Sequence, residues 1–490
     1  MLHVWQFSGQ ALAVVPIEDV SDVRTLKQHL QSLCGLPRFR QRLLCNGTCL
    51  DDHVSLPSPM HLQHVALPFS SVSQLEIEEL KAAAESGDLD QVEDMLQKGQ
   101  DPDLIALEDH TPPPQPTPHT PLALASRAGH DEIAELLLEA SADPDKTSGM
   151  GGADLTHGVT PLGLACEAGC LEVARLLLDS RAELEKSSGK YQRRPLATAS
   201  HAGHVPVARF LLQARADMEG TCGLSPPPLA AAFGRQGRRA FGHVHMVRFL
   251  LEARADANRT FGPNSDTPLG LAVGICHMGI ATLLLQGRAD MEQKFGSHGH
   301  TPLGLASRAG HHEMVRLLLE AGADISHESS RSRSRPLALA CSQGNDYVAK
   351  LLLEARAEMS DTLLGEASEK CHTLVVPLLL SYRANPNHQL GRASDSPLGA
   401  ACRQGHGLDI VHMLLDARAD KDARFRPQGD TALGVAARDG RLRVVHILLE
   451  ARADVTKRFG LSDETPLSAA KQGRTKDHQA IVRLLTEMQP

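Results

Sequence analysis

A chain of 490 residues exceeds the roughly 250–300 at which a single hydrophobic core stops growing, so it must divide into domains or extend by repetition. Only 3% of residues are aromatic against 42% apolar, so its core must be built from Leu, Ala, Val and Ile. A net charge of -9, with Lys and Arg interleaved among Asp and Glu, argues against general affinity for nucleic acid or anionic membrane, which needs concentrated positive charge. No apolar run approaches the roughly 20 residues that cross a bilayer, and the N-terminus lacks a signal peptide's basic start and apolar core. The ten Cys are scattered without any C-x-x-C and read as reduced thiols, so a cytoplasmic or nuclear location and no membrane insertion are expected.

At the head of the chain, HVWQF and ALAVV are short apolar runs joined through Ser8-Gly9, which predicts a hairpin. In DVRTLKQHLQSLCGLP, residues Val23, Leu26, Leu30 and Leu33 share one helical face, and Gly35-Leu36-Pro37 stops the helix. Asn46-Gly47 in QRLLCNGTCLDD is a hairpin turn between apolar runs, and HLQHVAL can supply a last strand. This order of elements, with the QRLL-x-x-G-x-x-L-D segment, resembles a ubiquitin-like domain over about seventy residues. The resemblance implies a small α+β β-grasp fold and maps ubiquitin's docking patch onto Leu44 and Gly47. HLQHVAL offers no secure counterpart for the patch residue of the last strand. The chain runs past Leu67-Pro68-Phe69 without Gly-Gly, so conjugation to other proteins is not expected. Two roles stand for this head: docking to ubiquitin-pathway receptors, or simply capping the rest of the chain.

Beyond Ser70 the chain is repetitive. TPLGLASRAGHHEMVRLLLEAGAD (Thr301–Asp324) is the cleanest copy, and others begin at Thr120, Thr160, Arg194, Pro227, Thr267, Arg335, Ser396, Thr431 and Thr465. Thr-Pro opens a helix, because the hydroxyl caps free N–H groups and Pro loses nothing at the first helical position. Leu303, Leu305 and Ala306 form its apolar face, and Gly310 ends it. A second helix places Met314, Val315, Leu317, Leu318 and Leu319 on a broad apolar face. Two short helices cannot stand alone: ordering a residue costs about 1.5 kcal/mol, while a buried Leu returns about 1.5–3. The copies must therefore stack.

T-P-L, A-x-x-x-G-H and L-L-L-E-A-x-A-D together strongly resemble the ankyrin repeat, from Ser73 to the C-terminus. The expected fold is thus mostly α: an ankyrin-repeat α-solenoid of about twelve repeats behind the ubiquitin-like head, with domains 1–70 and 71–490. Caps are expected at about 73–105 and 465–490. Residues 361–387 form a degenerate copy that has lost T-P and carries Pro377 in its second helix, the expected kink or weak joint. Two departures from the family stand out. The His that usually follows T-P-L is Gly163, Gly270, Gly304, Ala123 or Ala338 here. The Gly usual before the final A-D is Arg181, Arg215, Arg254, Arg288, Arg356, Arg383, Arg418 and Arg452. With acids nearby on both sides, these arginines are expected to form a mutually neutralised surface ladder rather than an anion-binding stripe.

No nucleotide loop, G-x-S-x-G or H-E-x-x-H occurs, so no catalytic site, cofactor or metal is expected. His130, His204, His311 and His406 occupy the repeat's own G-H slot and read as structural caps, and Cys166 with Cys170 as buried small hydrophobes. Phe261, Phe295, Phe425 and Phe459 recur at one connector position; they either anchor a partner or pack finger on finger. Arg127, Arg308, Arg403 and Arg438 recur seven residues after the T of T-P-L, with Glu167 and Gln472 in other copies; in ankyrin geometry this slot lines the concave face. PPPQPTP (Pro112–Pro118) is an extended spacer or docking peptide, and ISHESSRSRSRPLA (Ile325–Ala338) an exposed loop. The expectation is a monomeric, non-catalytic scaffold that binds other proteins and, through its head, ubiquitin-pathway receptors. A structural tether to cytoskeletal or membrane proteins and a subunit of an enzyme complex are the alternatives.

Overall fold

The computed structural model describes all residues except 57–58, 71–72, 105–118, 149–157, 222–224, 237–238, 241–242, 331–332, 389–395, 405–406, 426–427 and 489–490. Pro112–Pro118, His406 and two residues of the Ser-Arg loop fall outside that set. Two compact units emerge, Met1–Gly262 and Pro263–Pro490.

The first unit opens with β1 (Leu2–Gln6), β2 (Ala11–Val15), helix α1 (Val23–Cys34), β3 (Gln41–Cys45), β4 (Thr48–Cys49) and β5 (His61–Ala66). They form a mixed sheet in the order β2-β1-β5-β3-β4, with β1 parallel to β5 and the other pairs antiparallel. That arrangement is compatible with a β-grasp head. Asn46 and Gly47 take φ of 55° and 82°, the left-handed pair a tight β3–β4 hairpin requires. Asp22 and Thr25 cap α1 reciprocally, and Gly35 closes it at φ 71°. Strand alternation turns Leu2, Val4, Leu43 and Leu62 into one core with Val23, Leu26 and Leu30. Leu33, expected on the same face, lies in the last turn of α1 beyond the sheet and is 56% exposed.

Helices α2 (Gln74–Ser86), α3 (Leu89–Gln97), α4 (Pro121–Ala128) and α5 (Asp131–Glu139) begin a series of helix pairs that continues through both units. Within each unit, first helices stack on first helices and second on second. The cleanest copy shows why: Leu303, Ala306, Met314, Val315 and Leu318 are almost wholly buried, and Leu305, Leu317 and Leu319 half-buried. Thr301 caps the N–H of Gly304 at 3.2 Å with Pro302 behind it. Gly310, at φ 77°, ends the first helix. Arg194 and Arg335 replace that Thr and cap nothing; Arg194 instead holds Glu185 and Asp217, each at 3.1 Å.

All eight arginines that replace the family's usual glycine stand in the left-handed region, with φ between 59° and 71°, where a non-glycine residue costs roughly 1–2 kcal/mol. Each second helix compensates with a doubly bonded end: Arg181 N–H donates to Leu178 O at 3.0 Å and Ala182 N–H to Leu177 O at 2.9 Å. The acids after several of these arginines turn to backbone: Asp217, Asp256 and Asp454 each accept the N–H two residues on at 2.8–3.0 Å. Asp143, Glu183, Asp217 and Asp256 in the first unit each donate N–H to a carboxylate of the preceding copy (Asp103, Asp145, Glu185 and Glu219) at 2.8–3.2 Å. In the second unit Asp324 and Asp454 do the same to Glu292 and Asp422. The eight arginines are exposed.

Pro377 does not break its helix. It is the third residue of Val375–Ser381, inside the first turn, where the missing N–H has no helical acceptor to lose. The degenerate pair still packs between its neighbours on both sides.

Head and repeats meet through one buried guanidinium. Arg38 is 0% exposed and donates to Asp52 at 2.9 Å, to Glu93 of α3 at 3.3 Å and to Glu139 of α5 at 2.7 Å. Lys27 holds the other oxygen of Asp52 at 2.6 Å, and Gln28 of α1 donates to Glu139 at 2.8 Å. A cation removed from water survives only if its donors are matched in this way. Substituting Arg38→Ala takes the shared cation from three carboxylates, leaving Asp52 to Lys27 and Glu139 to Gln28, and should cost about 3 kcal/mol. The check is urea unfolding of the full chain; a change below about 0.5 kcal/mol, the level of an ordinary surface substitution, contradicts this view of the junction.

Candidate functional site

Finger loops project between second and first helices. Their recurrent aromatics lie inside: Phe295, Phe425 and Phe459 are 7%, 1% and 2% exposed, and only Phe261 is half-buried. Each finger closes by a bridge from its Phe, to His300, Asp430 or Glu464. The rings lie over the glycine of the preceding T-P-L-G, T-A-L-G or S-P-L-G segment. A Cβ on Gly270, Gly399 or Gly434 would stand 2.5, 2.7 or 2.3 Å from Phe295, Phe425 or Phe459. The glycine that displaces the family's usual His is therefore the seat of the next copy's Phe. Where the finger carries Ser188 instead, its hydroxyl approaches Gly163 and accepts from Thr160 N–H at 3.0 Å. Ring burial supports the packing role for these three aromatics.

The recurrent arginines are held by neighbouring groups. Arg127 pairs with Glu85 at 2.7 Å, and Arg438 grips buried Asp430 through two bonds of 3.2 and 3.3 Å. Arg403 lies 3.8 Å from the same carboxylate. Arg308 donates to His300, whose other nitrogen meets Ser329. Gln472 donates to Glu464 at 3.2 Å, tying the same slot to the finger.

Slot histidines are structural. His130, His204, His243, His372 and His478 each contact a first-helix carbonyl of the preceding copy at 3.0–3.2 Å. Each ring also fills the space beside a glycine of that copy, so Gly169 under His204 has neither the backbone angle nor the room for a side chain. No group of His, Cys, Asp or Glu among the described residues is arranged to hold a metal. Cys166 is buried, which pushes its thiol pKa up, and Cys170 packs against Gly129.

Two open cavities bear on binding. On the sheet, Leu44, Asn46 and Gly47 line a cavity of about 520 Å³ with Trp5, Phe7 and Gln63. Trp5 is 37% and Phe7 78% exposed, and Leu44 is half-buried. The aromatics were missed in the sequence, although period-two alternation already sets Trp5 opposite the buried Val4. In the repeats, a cavity of about 430 Å³ lies beside the finger Ser188–Arg193, lined by Glu167, Lys190, Tyr191, Arg193 and His201.

A sequence profile described as "Ankyrin repeats (3 copies)" matches residues 80–188, 149–222, 230–329, 364–459 and 398–489, well over half of the chain. The chain is an ankyrin-repeat protein. Among solved structures it is similar to the ankyrin repeat domain of Bcl-3, an IkappaB family member, at 26% identity, covering 45% of this chain and 99% of that one with a TM-score of 0.40. The human ASB11 ankyrin repeat domain matches at 25% identity, covering 46% of this chain and all of that one, also at 0.40. None of the curated proteins compared with the chain matches it. Ankyrin repeats are protein-interaction modules and generally not catalytic. Among the described residues, no helix is long and apolar enough to cross a membrane.

The pairing of Gly434 with Phe459 is directly testable. Gly434→Ala should destabilise the protein by about 1–3 kcal/mol through overpacking. Phe459→Ala should cost about 3 kcal/mol on its own through a cavity. The double variant should be more stable than the two losses summed, measured by chemical denaturation. Additive losses would contradict contact between ring and glycine.

Proposed function

We propose that this chain is a non-catalytic scaffold whose ankyrin units bind a protein partner while residues 1–70, a ubiquitin-like domain, offer a second docking surface to ubiquitin-pathway receptors. Residues 71–490 are then the repeat array. The observation that carries the second contact is the exposed pair Trp5 and Phe7 around Leu44 and Gly47. Scattered apolar residues on a surface are ordinary, but two exposed aromatics sharing a cavity in a chain with 3% aromatics form an anchor-type patch. Geometry supports its availability. The Arg38 junction engages α1 and the segment after it, whereas alternation puts Trp5 and Leu44 on the sheet face away from the α1 core. The head is thereby fastened to the repeats by one side and offers the other.

Ubiquitin-dependent regulation is the setting this arrangement suits: one partner held by ankyrin fingers, a receptor held by the head. Full-length protein and its Leu44→Ala and Trp5→Ala variants should be compared for binding to immobilised ubiquitin-receptor domains. Loss of a central anchor costs about 2 kcal/mol or more, so each variant should bind at least about tenfold more weakly. Absence of binding by the wild-type protein, or equal binding by the variants, removes the ubiquitin-pathway role.

A further inference from the structure

We propose that the cavity beside the finger Ser188–Arg193 receives an acidic side chain of the partner polypeptide, whose carboxylate meets the Arg193 guanidinium against the face of Tyr191. This rests on the scaffold reading above and names the chemistry of its partner.

The finger is a fixed support. Ser188 N–H donates to Arg193 O at 2.8 Å, and Arg193 N–H returns to Ser188 O at 3.1 Å. Gly189, at φ 71°, donates to Gly158 O of the preceding finger at 3.1 Å. Arg193 therefore projects from a hairpin held at both ends. Its guanidinium carbon lies 4.7 Å from the centre of the Tyr191 ring, a cation–π contact that orients the group without neutralising it. Lys190 approaches the same ring at 5.9 Å.

What Arg193 lacks is an anion. Its Nε is buried and makes no hydrogen bond. The adjacent Arg194 holds two carboxylates, and Arg438, at the end of a first helix, holds Asp430 by two bonds. Among the described residues Glu167 is the one acid lining the cavity, and it acts on Arg193 only through space. Burial without a partner weighs against the charged form of Arg193 and lowers its pKa. His201, across the cavity, bonds Ala231 O, and burial and the Arg193 charge both lower its pKa. A carboxylate is the group that matches a guanidinium fork with an unmet N–H donor.

Peptide rather than polyanion is the fit. A chain of net charge -9 repels phosphate polymers, and Glu167 lines the cavity, so a single acid on an otherwise neutral segment is what the local charge allows. Tyr191, 56% exposed, offers that segment an apolar face.

The test displays a random dodecapeptide library to the full-length protein, with counter-selection against full-length Arg193→Gln. Peptides that survive should carry Asp or Glu at a common position, and a synthetic survivor should bind Arg193→Gln about tenfold or more weakly, as for loss of a charged hydrogen bond. Changing its acid to the amide should weaken wild-type binding but not binding to Arg193→Gln, and Arg215→Gln should behave as wild type. Tyr191→Ala, which leaves the charge in place, should weaken the survivor by a smaller factor. If peptides bind but survivors lack an acid, or the acid dependence persists in Arg193→Gln, this proposal is overturned while the scaffold reading stands. If no peptide binds the wild-type protein at all, the scaffold reading fails and this proposal with it.

Discussion

No helix pair in this chain owns enough dry surface to hold itself together. A pair such as Pro302–Glu320 fills its buried face only because the preceding and following pairs close over Leu303, Val315 and Leu318. Every other recurrent feature serves that shared contact or results from it. Glycine ends the first helices with positive φ and, at Gly169 and Gly203, leaves the space that the next copy's His ring fills. Carboxylates carry the register on the other side, each accepting a backbone N–H from the next copy. At the start of the array the same need is met by a different device. Arg38 fastens the mixed sheet to α3 and α5, so the first pairs meet a folded neighbour.

Copies that depart from the pattern show what the packing tolerates. Arginine in place of glycine before A-D keeps the left-handed angle and is exposed, so the strain is local and the two end bonds absorb it. Arg194, lacking the Thr cap, exchanges a helix-start bond for carboxylates on two connectors. Pro377 is accommodated by its place in a first turn. Each change alters the edge of a pair and leaves the stacked face alone.

Much of this was legible because it is periodic. Apolar spacing located the buried faces, Thr-Pro and Gly located the helix ends, and the order of elements with Asn46-Gly47 located the head's sheet and hairpin. What escaped lies between copies or between elements. Gly270 and Phe295 were both noticed, but nothing local says that residues this far apart share one space. Arg38 joins Asp52, Glu93 and Glu139 from three elements, and no spacing announces such a hub. Flanking acids read as arginine partners, yet several of them hold backbone N–H groups. Arg193 is hidden for the opposite reason: its significance is a missing partner, which only coordinates reveal.

Hydrogen exchange on the full chain, comparing wild type with Leu352→Ala, tests the shared contact most directly. Leu352 is fully buried in Asp346–Glu354, which packs against His312–Glu320 and Val375–Ser381. Removing it should cost about 2–5 kcal/mol at a site the neighbours rely on. Amides of those two flanking helices should then lose protection together with Asp346–Glu354 itself. Loss confined to Pro336–Glu354, with both neighbours unchanged, would mean that each pair stands alone and would contradict the account.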